Sequence, residues 1–250
     1  DRERHEQIRT EMYRGVVDDG AIHSQPFSEG LAPGATTGVA TKAVPVDGGW
    51  LVTGRKIFAS LSESADMHNV VALVPGDDRI RLFGVPATAD GLTVTGDWDP
   101  LGMRGTVSRT LIFKDVFVPE DAALMPPGVY YQAVLRWPHM FLTLTPTYMG
   151  LAQAAYDFTV AYLRGEVPGM PPVKRRMFPT KQLAVAEMKV MLEQTKAIWF
   201  QAISEARPNP SKDSVLRAYV AQHTVMENAN ALAVKAIRTC GGQAMLKSLP

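Results

Sequence analysis

The sequence predicts an α+β multidomain chain in which an antiparallel β-barrel or sandwich domain is followed by an antiparallel helical bundle. Between about residues 22 and 120, six short β-rich runs are set apart by turn residues: TGVATKAVPV, GWLVTGRKIFAS, NVVALVP, RIRLFGVP, LTVTGDW and RTLIFKDVFVP. After Pro126-Pro127 the apolar residues recur at helical spacing to the end of the chain. With 250 residues, 46% of them hydrophobic, the chain is long enough to bury a sizeable core and to hold one large or two ordinary domains.

Residues 1 to 20 read as one short helix, because Ile8, Met12, Tyr13 and Val16 fall at helical spacing before the stop Asp18-Asp19-Gly20. In the second β run Asp47-Gly48-Gly49 forms the preceding hairpin turn. Strict alternation then puts Trp50, Val52, Gly54, Lys56 and Phe58 on one face and Leu51, Thr53, Arg55, Ile57 and Ala59 on the other. A domain boundary belongs near 125 to 137. One helix is predicted from about Thr147 to Leu163, with a stripe of Leu151, Ala155, Phe158 and Tyr162. A second runs from about Thr180 to Ala206, where Ala184, Met188, Met191, Ile198 and Ala202 keep register. A third starts at the N-cap Ser211, carries Val215, Tyr219, Met226, Ala233 and Ile237, and stops at Gly241. Three long helices with short links suggest an antiparallel bundle. The intervening VPGMPPVKRRMFP is too rich in proline to continue a helix and reads as a surface excursion.

Composition excludes several function classes. Lys+Arg number 26 against 25 Asp+Glu, so no global field draws in nucleic acid or an anionic membrane. No apolar run approaches the roughly 20 residues of a spanning helix. The opening DRERHEQIRTEMYR is charged and unlike a signal peptide, so the default expectation is cytoplasmic. The single cysteine, Cys240, has no intrachain partner, and no Cys/His spacing suits a metal.

Particular strings go further. QPFSEG at 25–30 leads into TKAVPVDGGWLVTGRKIFAS. LGMRGTVSRTLIFKDVFVP occupies 101–119, GLAQAAYDFTVAYL 150–163, FPTKQLAVAEM 178–188 and CGGQAM 240–245. In order and spacing these resemble the acyl-CoA dehydrogenase family: its S/T-E pair before a hairpin and "G-x-K-x-W-I-T/S", the "l-x-F-x-d-V-x-V-P" that closes its β-domain, two bundle helices and a Gly-Gly turn. The resemblance covers roughly 22 to 250. It implies the last helix of an N-terminal helical domain at 1–21, a flavin-side β-domain at 22–126 and a truncated C-terminal bundle at 127–250, with the fold incomplete at both ends.

The resemblance also implies FAD as cofactor and α,β-dehydrogenation of an acyl-CoA thioester, with electrons passed to electron-transfer flavoprotein and assembly as a homodimer or homotetramer. By position, Phe27 and Ser28 match the strand beside the isoalloxazine, Phe58 the aromatic residue flanking the ring, and Ser60 the hydroxyl residue near flavin N5; Ala59 contributes backbone only. Gly241 and Gly242 match the turn that approaches a neighbouring subunit's cofactor.

Three departures accompany the likeness. Gly30-Leu31-Ala32-Pro33-Gly34-Ala35 replaces "P-G-A-G-S-D". Met140 stands where some members carry the catalytic glutamate in a bundle helix, and a thioether takes no proton; the alternative glutamate position lies beyond Pro250. The arginine that usually reaches a partner's FAD diphosphate is lost in the proline-rich excursion, leaving Arg164, Arg175 and Arg176 as candidates. Trp98-Asp99-Pro100-Leu101-Gly102-Met103-Arg104-Gly105-Thr106 and Ser108 equally suit a flavin-dependent monooxygenase on the same fold, and a non-catalytic partner subunit is a third alternative. Each assignment has a plainer counterpart: Ser28 and Ser60 as ordinary strand residues, Gly241-Gly242 as a helix cap, His139 and Cys240 as structural residues, and Lys174-Arg175-Arg176 as solvated surface.

Overall fold

The computed structural model describes residues 2–30, 38–168 and 175–246, the side chains of Asp78 and Phe141 excepted. The chain divides into two compact units, Asp1–Ala133 and Val134–Pro250.

The first unit opens with helix α1, Arg2–Asp18, which buries none of its residues. Seven strands follow: β1 His23–Ser24, β2 Lys42–Val46, β3 Gly49–Ala59, β4 Met67–Val74, β5 Asp77–Pro86, β6 Leu92–Thr95 and β7 Arg109–Pro119. They form one sheet in the order β1-β4-β2-β3-β7-β6, with β5 also paired to β4. The hairpins β2–β3 and β4–β5 and the pairs β3–β7 and β6–β7 are antiparallel, whereas β1 and β2 each meet β4 in parallel. The sheet is therefore mixed. Both parallel contacts are short, which is why local periodicity gave no sign of them. One face buries Val52, Val70, Phe83, Leu111, Phe113, Val116 and Val118 in a single core. Trp50 packs edge-on to Phe83 at 5.4 Å and lies 5.1 Å beneath the Arg81 guanidinium.

Strict alternation fails along β3. Register shifts fall between Val52 and Gly54 and between Lys56 and Ala59. The first faces a bulge at Asp115, whose φ is 49° and whose carboxylate accepts from Thr53 Oγ1 at 2.6 Å. The second turns Phe58, predicted to share a face with Val52 and Lys56, out of the core with φ 52° and 65% exposure, while Ala59 takes the inward position at 0%. Gly54 is required for a different reason: a Cβ there would lie 2.7 Å from the Thr41 Cα.

Helix α2, Val129–Arg136, lies at the join between the units. The second unit is built on α3 Thr145–Arg164, α4 Pro179–Ser204 and α5 Lys212–Cys240, close to the predicted spans. The Ser211 hydroxyl accepts from Ser214 N at 3.2 Å and caps α5 as expected. Cross-links set α4 against α5 in antiparallel order: Lys181 donates to the Thr239 carbonyl at 2.6 Å, Lys235 pairs with Glu187, Asn228 donates to Thr195 at 2.9 Å, and Arg217 donates to Glu205 at 2.8 Å.

The predicted stripe of α4 is the buried one, with Met188 and Ala202 in the core and Met191 and Ile198 packed against it, and Tyr162 of the α3 stripe is buried too; the α5 stripe and the start of the α3 stripe are offset. α5 buries Ala218, Ala221, Val225, Ala229, Leu232 and Ala236, leaving Tyr219, Met226 and Ile237 exposed; α3 buries Ala152 and leaves Leu151 exposed. Small side chains let the backbones approach closely, so the seam follows the alanines. The larger apolar residues one position away face outward. Among the described residues no helix is long and apolar enough to cross a membrane.

Candidate functional site

In the β unit the strip Phe27–Gly30 is held against β3. The Ile57 amide donates to the Ser28 carbonyl at 2.7 Å. Beneath that bond Lys56, with a fully buried side chain, is ion-paired to Glu29, 4% exposed, and its ammonium also lies 3.4 Å from the Phe27 carbonyl. Glu29 accepts in addition from Thr41 N at 3.1 Å and from Ala40 N. Burial alone pushes the Glu29 carboxyl up, but hydrogen bonds from Lys56, Ala40 and Thr41, with the charge of Lys56, outweigh it and hold the group below its ordinary value. Burial also pulls the Lys56 ammonium down, against the opposing pull of Glu29. This buried pair fixes the backbone of Phe27 and Ser28 while leaving both side chains exposed.

Phe58 stands edge-on to Trp98, ring centroids 6.2 Å apart. Beside them lies a line of hydroxyls: Ser60 Oγ is 2.8 Å from Ser108 Oγ, Ser108 Oγ is 2.7 Å from Thr106 Oγ1, and Thr106 Oγ1 is 2.8 Å from the Met103 carbonyl. Two segments meet to make this line. Leu61 N donates to the Thr106 carbonyl at 2.8 Å, and both the amide and the hydroxyl of Ser62 donate to the Val107 carbonyl, at 3.3 and 2.7 Å. Phe58, Leu61, Met103 and Val107 all have positive φ, between 43° and 61°. For side chains of this size, and for β-branched Val107 above all, that conformation costs on the order of 1 kcal/mol or more apiece and persists only where surrounding contacts impose it. The result is an exposed Phe58 against a half-buried Trp98, bordered by a hydroxyl edge.

The structure thus brings together Phe58, Ala59 and Ser60, predicted from the sequence, with Trp98, Met103, Thr106 and Ser108, which had been noted only as part of a motif. Ser108 lies 48 positions from Ser60 and meets it only through the register shift of β3. Nearby in the same unit Phe27 stacks on Tyr130 at 6.4 Å, and Gln25 donates to the Tyr130 hydroxyl at 2.9 Å. Buried His68 is 2.7 Å from Ser24 through Nδ1, and burial holds its pKa below the ordinary histidine value. The substituted segment 31–37 lies outside the described residues.

In the helical unit Gly241 ends α5 with φ 82°, its amide donating to the Ile237 carbonyl at 3.1 Å, so the cap reading holds. Gly241 and Gly242 line an open groove of about 560 Å³ together with Arg175, Phe178, Thr180, Lys181, Cys240 and Gln243. Arg175 stacks 5.3 Å from the Tyr162 ring and donates to its hydroxyl, which in turn donates to Gln243 at 2.8 Å. Arg164 and Arg176 line a separate groove, so of the three arginine candidates Arg175 is the one beside the glycine turn. Lys174 and the rest of 169–174 lie outside the described residues. Cys240 is buried, and burial raises its thiol pKa. Met140 sits in a short 3-10 turn, Pro138–Leu142, beside His139, whose two ring nitrogens are buried without a partner among the described residues. No cluster of potential metal ligands occurs among the described residues.

Residues 28–116 match the family model of the acyl-CoA dehydrogenase middle domain, a span that includes Ser28, Phe58, Ser60 and the whole hydroxyl line. The chain is similar to the acyl-CoA dehydrogenase family, its β unit carrying the match to that family's middle domain. It is 27% identical over 227 residues to the mitochondrial short-chain specific acyl-CoA dehydrogenase of Homo sapiens, covering 87% of this chain and 53% of the human one. To the L-evernosamine nitrososynthase of Micromonospora sp. it is 35% identical over 140 residues, 54% of this chain and 32% of that one. Among solved structures, the dibenzothiophene monooxygenase of Paenibacillus sp. A11-2 superposes with a TM-score of 0.78 at 23% identity, covering 96% of this chain and 64% of that one. The chain thus spans about half the length of the human family member. The fold of a β-sheet unit followed by a helical unit is the family's fold.

Proposed function

We propose that the protein is an FAD-dependent oxidoreductase, and that its reaction is the α,β-dehydrogenation of an acyl-CoA thioester. The observation that carries the flavin assignment is the exposed Phe58 ring, set edge-on to half-buried Trp98 and bordered by Ser60, Ser108 and Thr106. An aromatic platform with a polar edge suits a planar heteroaromatic ring, and the positive φ of Phe58 gives its side chain no function in the core. Bound FAD would supply the electron-accepting chemistry; the protein orients it. Phe27 and Ser28, held by Glu29 and Lys56, would lie along the ring, with Phe58 flanking it, the Ala59 backbone adjoining it and Ser60 at its polar edge. The Gly241-Gly242 turn would approach cofactor phosphates, with Arg175 as the cation best situated to accompany it. Electrons would leave to electron-transfer flavoprotein, and the working assembly would be a homodimer or homotetramer.

A second reading, a flavin-dependent monooxygenase, is favoured by one specific observation. Met140 supplies no carboxylate at a position from which a family base acts. The 35% identity to a nitrososynthase supports the same reading.

The deciding experiment is a visible absorption spectrum of the purified protein with added FAD, titrated anaerobically with acyl-CoA thioesters of increasing chain length. Bleaching by one or more of them is expected. Bound flavin that no thioester bleaches, yet which consumes oxygen once reduced, would overturn the dehydrogenase assignment in favour of the monooxygenase. A protein that binds no flavin would overturn both.

A further inference from the structure

We infer that Thr106 and Ser108 are positioning residues, forming with Ser60 a hydroxyl relay whose hydrogen-bond direction reverses to match a ligand atom that accepts in one redox state and donates in the other. The inference deepens the flavin reading and rests on it.

A hydroxyl has one proton to donate and two lone pairs with which to accept. The three hydroxyls stand in series at 2.8 and 2.7 Å, and the series ends 2.8 Å from the Met103 carbonyl. Only two fully bonded arrangements of such a chain exist. In the first, Thr106 donates to Ser108, Ser108 to Ser60, and Ser60 outward to an acceptor. In the second, a donor outside the chain gives a hydrogen bond to Ser60, Ser60 to Ser108, Ser108 to Thr106, and Thr106 to Met103. The two interconvert by rotation of three O–H bonds; no proton leaves its oxygen.

What makes reversal cheap is the terminus. The Met103 carbonyl also accepts from Thr106 N and from Trp98 Nε1, both at 3.2 Å. It is therefore not orphaned when Thr106 turns away, and it is available when Thr106 turns back. Ser108 is 6% exposed, so water does not readily rescue a broken link, while Ser60 is open to a ligand. The bonds from Leu61 to Thr106 and from Ser62 to Val107 hold the terminus in place and impose the positive φ of Met103 and Val107. The polar edge of a flavin changes in this sense, gaining an N–H on reduction, and the relay gives both states a complete set of bonds.

The test measures dissociation constants of the full chain for oxidised FAD and, anaerobically, for chemically reduced FAD. Thr106→Val removes the acceptor for the Ser108 proton, which strands a buried donor only when the relay points inward. It should weaken reduced FAD about tenfold more than oxidised FAD. Thr106→Ser should restore the wild-type ratio. Ser62→Ala loosens the same loop through Val107 without touching the relay, and should weaken both states by one common factor. A Thr106→Val variant that weakens both states equally, as Ser62→Ala does, overturns the relay and leaves the flavin site standing. Wild-type protein that binds neither form overturns both.

Discussion

Lys56→Met keeps most of the length of a fully buried side chain and removes its charge. In the wild type the ammonium is paired with Glu29, itself 4% exposed, so the variant strands a carboxylate that retains the Ala40 and Thr41 amides and loses its countercharge. Breaking a buried pair from one side costs about 3–5 kcal/mol. A domain's whole stability is roughly 5–15 kcal/mol, so the loss would be a large fraction of it. Glu29→Gln with Lys56→Met replaces the stranded charge by an amide whose carbonyl still accepts from both backbone N–H groups. The double variant should therefore recover about 2 kcal/mol or more relative to the sum of the single losses. Hydrogen exchange of the β3 amides as a function of urea reads this locally, with Ile57 the most informative because its amide bonds to Ser28 across the pinned strip. A loss below about 1 kcal/mol in Lys56→Met, or strictly additive losses in the double variant, would refute the argument that the pair pins the strip.

The remaining predictions concern the same unit and the bundle. Because the Glu29 carboxyl is held below its ordinary value, its contribution is fully present above about pH 4.5 and is lost as the pH falls through the folded value. Glu29→Gln should flatten the acid limb of the sheet's stability between about pH 5 and 3, read by the same exchange experiment. Gly54→Ala should destabilise the sheet by about 1–3 kcal/mol, since the new methyl meets the Thr41 backbone, and a urea midpoint will show it. Val107→Gly removes a β-branched residue from positive φ, so it should raise the melting temperature or leave it unchanged while weakening FAD binding, because the hydroxyl line loses its rigid support. Ser211→Ala should cost about 1 kcal/mol of bundle stability, measured by thermal unfolding in the helical circular dichroism signal.

The helices were legible almost to the residue at several ends because their signals are local: the proline-rich break before α4, the serine cap of α5 and the glycine that ends it. The buried face of α4 was legible too, but that of α5 was not. Scoring large apolar residues favours Tyr219, Met226 and Ile237, whereas the seam selects Ala218, Val225 and Ala236, since packing of helix on helix rewards close approach. The strands were likewise legible as runs of alternating residues. The parallel contacts of β1 and β2 with β4 were hidden, because nothing in the local sequence encodes a pairing direction. At the candidate site, Phe58 and Ser60 were put forward by family likeness. Thr106 and Ser108 acquire a place beside them only through the β3 register shift and the turn at Met103, and both are properties of the folded chain.

The crossing bonds from Leu61 to Thr106 and from Ser62 to Val107 make residues 58–62 and 103–108 a single mechanical part, although more than forty positions separate them in the chain. Anyone recombining this protein with a relative would have to transplant the two stretches as a pair. A crossover placed between them would marry one parent's strained turn to the other parent's support, and the chimera would keep every named residue yet lose the alignment that gives those residues a shared edge.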